Sequence, residues 1–273
     1  MTAEMTVSQH RICLEVCVDS HHGIEEAVKG GADRLELCSA LAVGGLSPSV
    51  ALIDHAKQSA QDRGIPVVSM LRPRPGGFCY TSAEKAGMLQ EVQRIATAGL
   101  DGIVVGALIE TPSPSSNNHL KNTAPNTYWL DEAFLHDIVL ECKRNSLSIT
   151  LHRAIDLIND PVKAAVRAAE IGFDRILSSG GELDAASGLD MLTAMHNAVR
   201  GRLSIMPGSG ISIDNLRRFL NAFELVDIHA SCSTTSASDE ALVNMGFAEA
   251  TMKQTCAHKV SQLKHTLQNQ TTL

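Results

Sequence analysis

Aromatic residues are scarce in this chain of 273 residues: they make up 3%, with one Trp, two Tyr and six Phe. A large core must then be filled by Ala, Val, Ile and Leu, the small and branched side chains that suit parallel strands buried on both faces. Basic clusters are lacking too. The formal net charge is -7 and no run of Lys or Arg stands out, which argues against a nucleic-acid partner bound by phosphate neutralisation. No apolar run approaches the roughly 20 residues that cross a bilayer, so no membrane partner is expected. Met1 to His10 hold Glu4, lack a basic start and an apolar stretch, and read as a disordered tail rather than a signal peptide. The seven cysteines, Cys13, Cys17, Cys38, Cys79, Cys142, Cys232 and Cys256, are odd in number and nowhere spaced C-x-x-C. That speaks against a zinc ribbon and a disulfide framework, and reduced thiols in a cytoplasmic protein are the expectation.

What the chain does contain is a repeated unit: a short apolar run, a turn with Gly or Pro, then a stretch of helical periodicity. Apolar runs fall at Ile12 to Val18, Arg34 to Cys38, Val67 to Leu71, Gly102 to Val105, Ser148 to His152, Arg175 to Ser178, Leu203 to Met206 and Val226 to His229. Helical stretches lie between them, near 22–30, 49–63, 82–98, 131–145, 161–171, 185–199, 213–222 and 255–267. Eight such units predict an α/β fold, a single (β/α)8 TIM-like barrel over 11–273. Ser82, Asp160 before Pro161, and Asp184 read as helix N-caps. Gly31, Gly99 and Gly172 read as C-caps, each two residues before an Asp that opens the way to a strand. The one irregular stretch, 110–129, is rich in Pro, Ser, Asn and Thr and reads as an inserted loop, anchored at Trp129.

Side chains alternate along a strand, so Leu14, Val16 and Val18 share one face of the first strand while Cys13, Glu15 and Cys17 share the other. The same parity turns Arg34, Glu36 and Cys38 inward, sets Glu15 beside Glu36 and Cys17 beside Cys38, and sends Val68, Met70, Arg72, Thr150, His152, Asp227, His229 and Ser231 to the interior. Barrel active sites form at the carboxyl ends of strands. Glu15, Glu36 and His152 are therefore candidate acid and base groups, against the plainer reading that the acids are internal ion pairs of Arg72 or Arg153. Arg72, Arg74, Arg153 and the turn Gly208-Ser209-Gly210, which precedes a helix capped near Ser212, are candidates for holding a small anion.

Taken together, Leu14-Glu15-Val16-Cys17, Gly30-Gly31-Ala32-Asp33-Arg34-Leu35-Glu36-Leu37-Cys38, Gly44-Gly45-Leu46-Ser47-Pro48-Ser49, Arg72-Pro73-Arg74, Phe78-Cys79-Tyr80, His152-Arg153-Ala154-Ile155-Asp156, Ser179-Gly180 and Met206-Pro207-Gly208 resemble the CutC copper homeostasis family. The likeness runs from about Leu14 to Ser231. It implies a TIM-like barrel, an intracellular role in copper homeostasis and a copper interaction in which Cys17 and Cys38 are the ligands, since paired thiolates suit soft Cu(I). His229 and Met70 are conceivable auxiliaries.

Two functions stay open on these residues. One is a copper-handling protein with Cys17 and Cys38 as metal ligands. The other is an enzyme of lyase, isomerase or hydrolase type acting on a small anionic or phosphorylated metabolite, with Glu15 or Glu36 as base, His152 as acid and the Arg72, Arg74, Arg153 and Gly208 to Gly210 groups on the anion. A homo-oligomer is compatible with either.

Overall fold

A computed structural model of the chain describes residues 11–61, 63–111 and 127–269; the tail at 1–10 and the middle of the 110–129 loop lie outside the described residues. Eight strands form one parallel sheet: β1 (Cys13–Val18), β2 (Arg34–Leu37), β3 (Val67–Met70), β4 (Gly102–Val105), β5 (Ser148–Leu151), β6 (Arg175–Ser178), β7 (Ser204–Pro207) and β8 (Asp227–Ala230). Their order is β8-β1-β2-β3-β4-β5-β6-β7, which is chain order bent round until its two edges meet. This is the nearly closed TIM-like barrel that the eight repeated units predict.

Helices alternate with the strands: α1 (His21–Gly30), α2 (Val50–Gln61), α3 (Ser82–Ala98), α4 (Glu132–Arg144), α5 (Pro161–Ile171), α6 (Leu189–Val199), α7 (Leu216–Ala222) and α8 (Ala257–Asn269). Leu14, Val16, Val18, Leu35, Leu37, Ile103, Ile149, Ile176 and Ile228 turn outward and pack with the helices into one buried layer. Ala27, Ala56, Ala164 and Ala168 sit in that layer with no exposed surface, so helices built of small residues approach the strands closely enough to need few aromatics.

The Gly-x-Asp pattern has a physical role that recurs three times. Gly31, Gly99 and Gly172 end their helices in the left-handed conformation, φ 88°, 77° and 107°. Asp33, Asp101 and Asp174 then accept the backbone N–H of Leu14, Val67 and Ile149 in the preceding strand, while their own N–H groups donate to the carbonyls of those same residues. Each carboxylate thus holds the amino end of one strand against the start of the next.

Some boundaries differ from the sequence expectation. The N-cap of α3 is Thr81, not Ser82, because Thr81 and Glu84 form a reciprocal capping box. Asp160 does cap α5 with Pro161 at its first position. Asp184 accepts the N–H of Ser187 in a turn, and α6 begins only at Leu189, after Gly188, whose backbone lies too close to Ser179 and Gly180 for a Cβ. Ser212 and Asn215 close a turn before α7. Thr255 is paired with Ser233 in a hairpin, which delays α8 to Ala257. The described ends of the 110–129 stretch are not loop but a second hairpin, Leu108–Thr111 against Thr127–Leu130. Trp129 is anchored there, its Nε1–H donating to Glu132 and its ring lying under Lys163.

Candidate functional site

Inside the barrel the parity holds while the register shifts. Glu15 pairs with Arg34, and Cys17 with Glu36, so the two carboxylates are offset along the barrel axis instead of facing each other, and so are Cys17 and Cys38. On the other flank Glu15 lies level with His229 and Cys13 with Asp227. The interior of β8, β1 and β2 therefore alternates in charge. Asp227 binds Arg34 at 2.8 Å, Arg34 binds Glu15 at 2.5 Å, Glu15 binds His229 Nδ1 at 2.8 Å, and His229 Nε2 faces Glu36 at 3.8 Å. Arg34 also donates to the Met206 sulfur at 3.5 Å. The internal cation that satisfies Glu15 is thus Arg34, and neither Arg72 nor Arg153.

This chain of contacts sets the protonation states. Burial penalises the charged form of Glu15, yet Arg34 and His229 outweigh it and hold its carboxyl at about 2. Burial raises Glu36 to about 7, outweighing the opposing pull of His229. His229 loses solvation too, but Cys17, Glu15 and Glu36 overcome that loss and push its pKa well up, so the ring stays protonated. Two carboxylates on neighbouring strands thus behave oppositely, one as permanent anion and one as a group that can gain or lose a proton near neutrality.

At the carboxyl half of these strands, Cys17 Sγ, a Glu36 oxygen and a ring nitrogen of His229 lie within 4.8 Å of one another, all buried. Cys38, just past the end of β2, is wholly buried among Val68, Met70 and Val104, and burial pushes its thiol well above the usual range. The polar side of the barrel is thus β8-β1-β2, and the apolar side is β3-β4.

The remaining predicted site residues lie nearer the rim. His152 lies against Gly106, where a Cβ would meet its ring at 2.5 Å. The Arg72 guanidinium donates to the carbonyls of Val43, Gly45 and Gly76 and lies over the Phe78 ring, which in turn packs on His152. Arg74 donates to Glu84, Gly77 and Cys79. Arg153 binds Asp156, Ser179 and Glu182. All three arginines tie rim loops to the barrel. His152 Nδ1 accepts the N–H of Ala154, and burial beside Arg72 lowers its pKa to about 4, so the neutral ring carries its proton on Nε2. That atom, Arg72 Nε, Tyr80 Oη and Glu36 Oε1 are buried and have no hydrogen-bond partner among the described residues. In the turn after β7, the Gly208 N–H donates to Ser178, Ser209 Oγ donates to Leu183 with φ 85°, and the Gly210 carbonyl accepts from Asn215. Ser231 is exposed and bonded to Ser233 instead of joining the interior.

The sequence reading turned Arg34 inward and quoted Asp156 in a motif but gave neither a role. Arg34 was the only inward cation of β2, and a charge count along the inward faces of β1, β2 and β8 would have found it. Asp156 accepts from Ser178, Ser179 and Gly181 and so shapes the turn after β6.

These features define a TIM-type (β/α)8 barrel with a buried thiol, imidazole and carboxylates at the carboxyl half of three adjacent strands. Residues 12–234 match the CutC family. A family protein CutC of Sinorhizobium medicae (strain WSM419) is 40% identical over 256 residues, covering 93% of this chain and 96% of that protein. The copper homeostasis protein cutC homolog of Homo sapiens is 36% identical over 225 residues, covering 82% and 75%. A solved CutC structure from Streptococcus agalactiae superposes with a TM-score of 0.69 at 27% identity, covering 81% of this chain and 98% of that one. The chain belongs to the CutC copper homeostasis family.

Proposed function

We propose that the chain binds Cu(I) as cargo in the barrel interior, with Cys17 and Cys38 as thiolate ligands and His229 as a further donor. The observation that carries this reading is the convergence of Cys17, Glu36 and His229 on one buried spot, with Cys38 two positions beyond Glu36 on the same face of the neighbouring strand. Thiolates and imidazole are the donors that soft, monovalent copper prefers. The donor set fits in a second respect. Glu15 engages His229 Nδ1 and leaves Nε2 turned toward Cys17 and Glu36, which is how a carboxylate orients a metal-binding histidine. Copper would take the place of the proton at Nε2, and Glu36 can accept that proton. Free thiols at all seven cysteines support a reducing, cytoplasmic setting.

Anaerobic titration against a chromophoric Cu(I) chelator tests the reading. Wild-type protein is expected to compete for one equivalent, and Cys17→Ser with Cys38→Ser to lose that competition. Equal affinity in the double variant would reject these ligands.

A second reading, acid and base catalysis on a small anionic metabolite, draws support from the unpartnered Arg72 Nε and His152 Nε2 donors. In it Glu36, near neutrality, is the base in preference to Glu15, which Arg34 holds ionised. His152 serves as a neutral donor to a substrate oxygen. Saturation-transfer NMR with a set of small phosphates and carboxylates discriminates: signals lost in His152→Ala but kept in Cys17→Ser favour this reading, and their absence removes it.

A further inference from the structure

The insertion after β8 brings two cysteines opposite each other. Ser233–Ala237 and Thr251–Thr255 form an antiparallel ladder that runs from Ser233 with Thr255 to Ala237 with Thr251. One step further toward the barrel, that register sets Cys232 against Cys256, and the Cys256 N–H donates to the Cys232 carbonyl at 3.0 Å. Directly opposed residues of an antiparallel pair lie about 4.5–5.5 Å apart at Cα, and the two thiols are close enough to act on each other electrostatically. A disulfide spans Cα separations of about 4.4–6.8 Å. Both thiols are free; Cys232 is buried and Cys256 half-buried. Cys232 also holds a left-handed backbone, φ 45°, a conformation that a residue with a Cβ keeps only where its surroundings impose it.

We propose that Cys232 and Cys256 form a dithiol that low-molecular-weight disulfides convert into an intrachain disulfide across the neck of the insertion. The more accessible Cys256 attacks one sulfur of the reagent as thiolate, forming a mixed disulfide and releasing one thiolate. Cys232 then gives its proton to solvent and attacks the Cys256 sulfur, expelling the second thiolate. Two protein thiols are oxidised and one disulfide reagent is reduced to two thiols. The product joins the segment just beyond β8, which carries His229, to the residue immediately before α8. This assignment is independent of copper binding.

The test uses the full chain treated with oxidised glutathione, digested without reductant and read by mass spectrometry. A cross-linked peptide pair containing Cys232 and Cys256, with the loss of two hydrogens and no retained glutathione, is the expected product. Cys232→Ser should stop at glutathione on Cys256, and Cys256→Ser should give no cross-link; urea unfolding of the reduced variants checks that both fold. Glutathione that stays on Cys256 in the wild type, prior oxidation of Cys13 or Cys79, or no oxidation at all would overturn the proposal.

Discussion

Arg34 shows how one residue governs the interior. It bridges Glu15 and Asp227 where little water reaches, so its removal leaves two buried carboxylates with one cation fewer. Breaking such a pair from one side costs about 3–5 kcal/mol, and Arg34→Met should lower the stability measured by urea unfolding by about that much. His152 gives a pH signature. Its folded pKa, about 4, lies below the ordinary value of 6.5, so the unfolded chain binds the extra proton first. The stability that follows is fully present above 6.5 and is lost as pH falls toward 4. In His152→Asn, whose side-chain oxygen can still accept the Ala154 N–H, the part of the acid-side loss due to this ring should vanish; equal pH slopes in urea midpoints for both proteins would contradict this. Which residues turn inward was legible from alternation within the strands, though not at Ser231, which lies past the end of β8 and is exposed. Which inward residue met which was not, because the stagger between parallel strands leaves no mark in either strand's own pattern: Glu15 reached Arg34 and His229, and Cys17 reached Glu36, by a shift of two positions.

Elements were legible where a local rule decides them. Strand runs, the Asp160-Pro161 start and the three Gly-x-Asp ends follow from hydrophobic period, proline geometry and left-handed glycine, all written within a few residues. The start of α6 and the hairpin beside Leu108 were not, since they depend on contacts with distant glycines and on a partner strand beyond the insertion. The Gly-x-Asp device makes its own prediction. Asp101→Ala deprives the Val67 N–H of its carboxylate, and an unpaired, largely buried donor costs about 1–3 kcal/mol. The urea midpoint should fall accordingly, and amide exchange at Val67 should quicken more than at the equivalent Leu14 or Ile149.

At the scale of the whole molecule, the barrel has a charged side, β8-β1-β2, and an apolar side, β3-β4, so the buried charges of the first two strands meet those of the last, far away in sequence. β7 and β8 are the two edges of the hydrogen-bonded sheet. β7 ends at Pro207, which has no N–H to offer, and Gly208 packs against the side of His229. Hydrogen-exchange mass spectrometry should accordingly find faster exchange in β8 than in β2, which is laddered on both flanks. The cylinder thus has a seam, and the histidine hangs on the free lip of it. Any yielding of the wall at the one joint that backbone bonds do not stitch would be felt first at the imidazole and at its ion pair with Glu15, ahead of the strands that are laddered on both flanks.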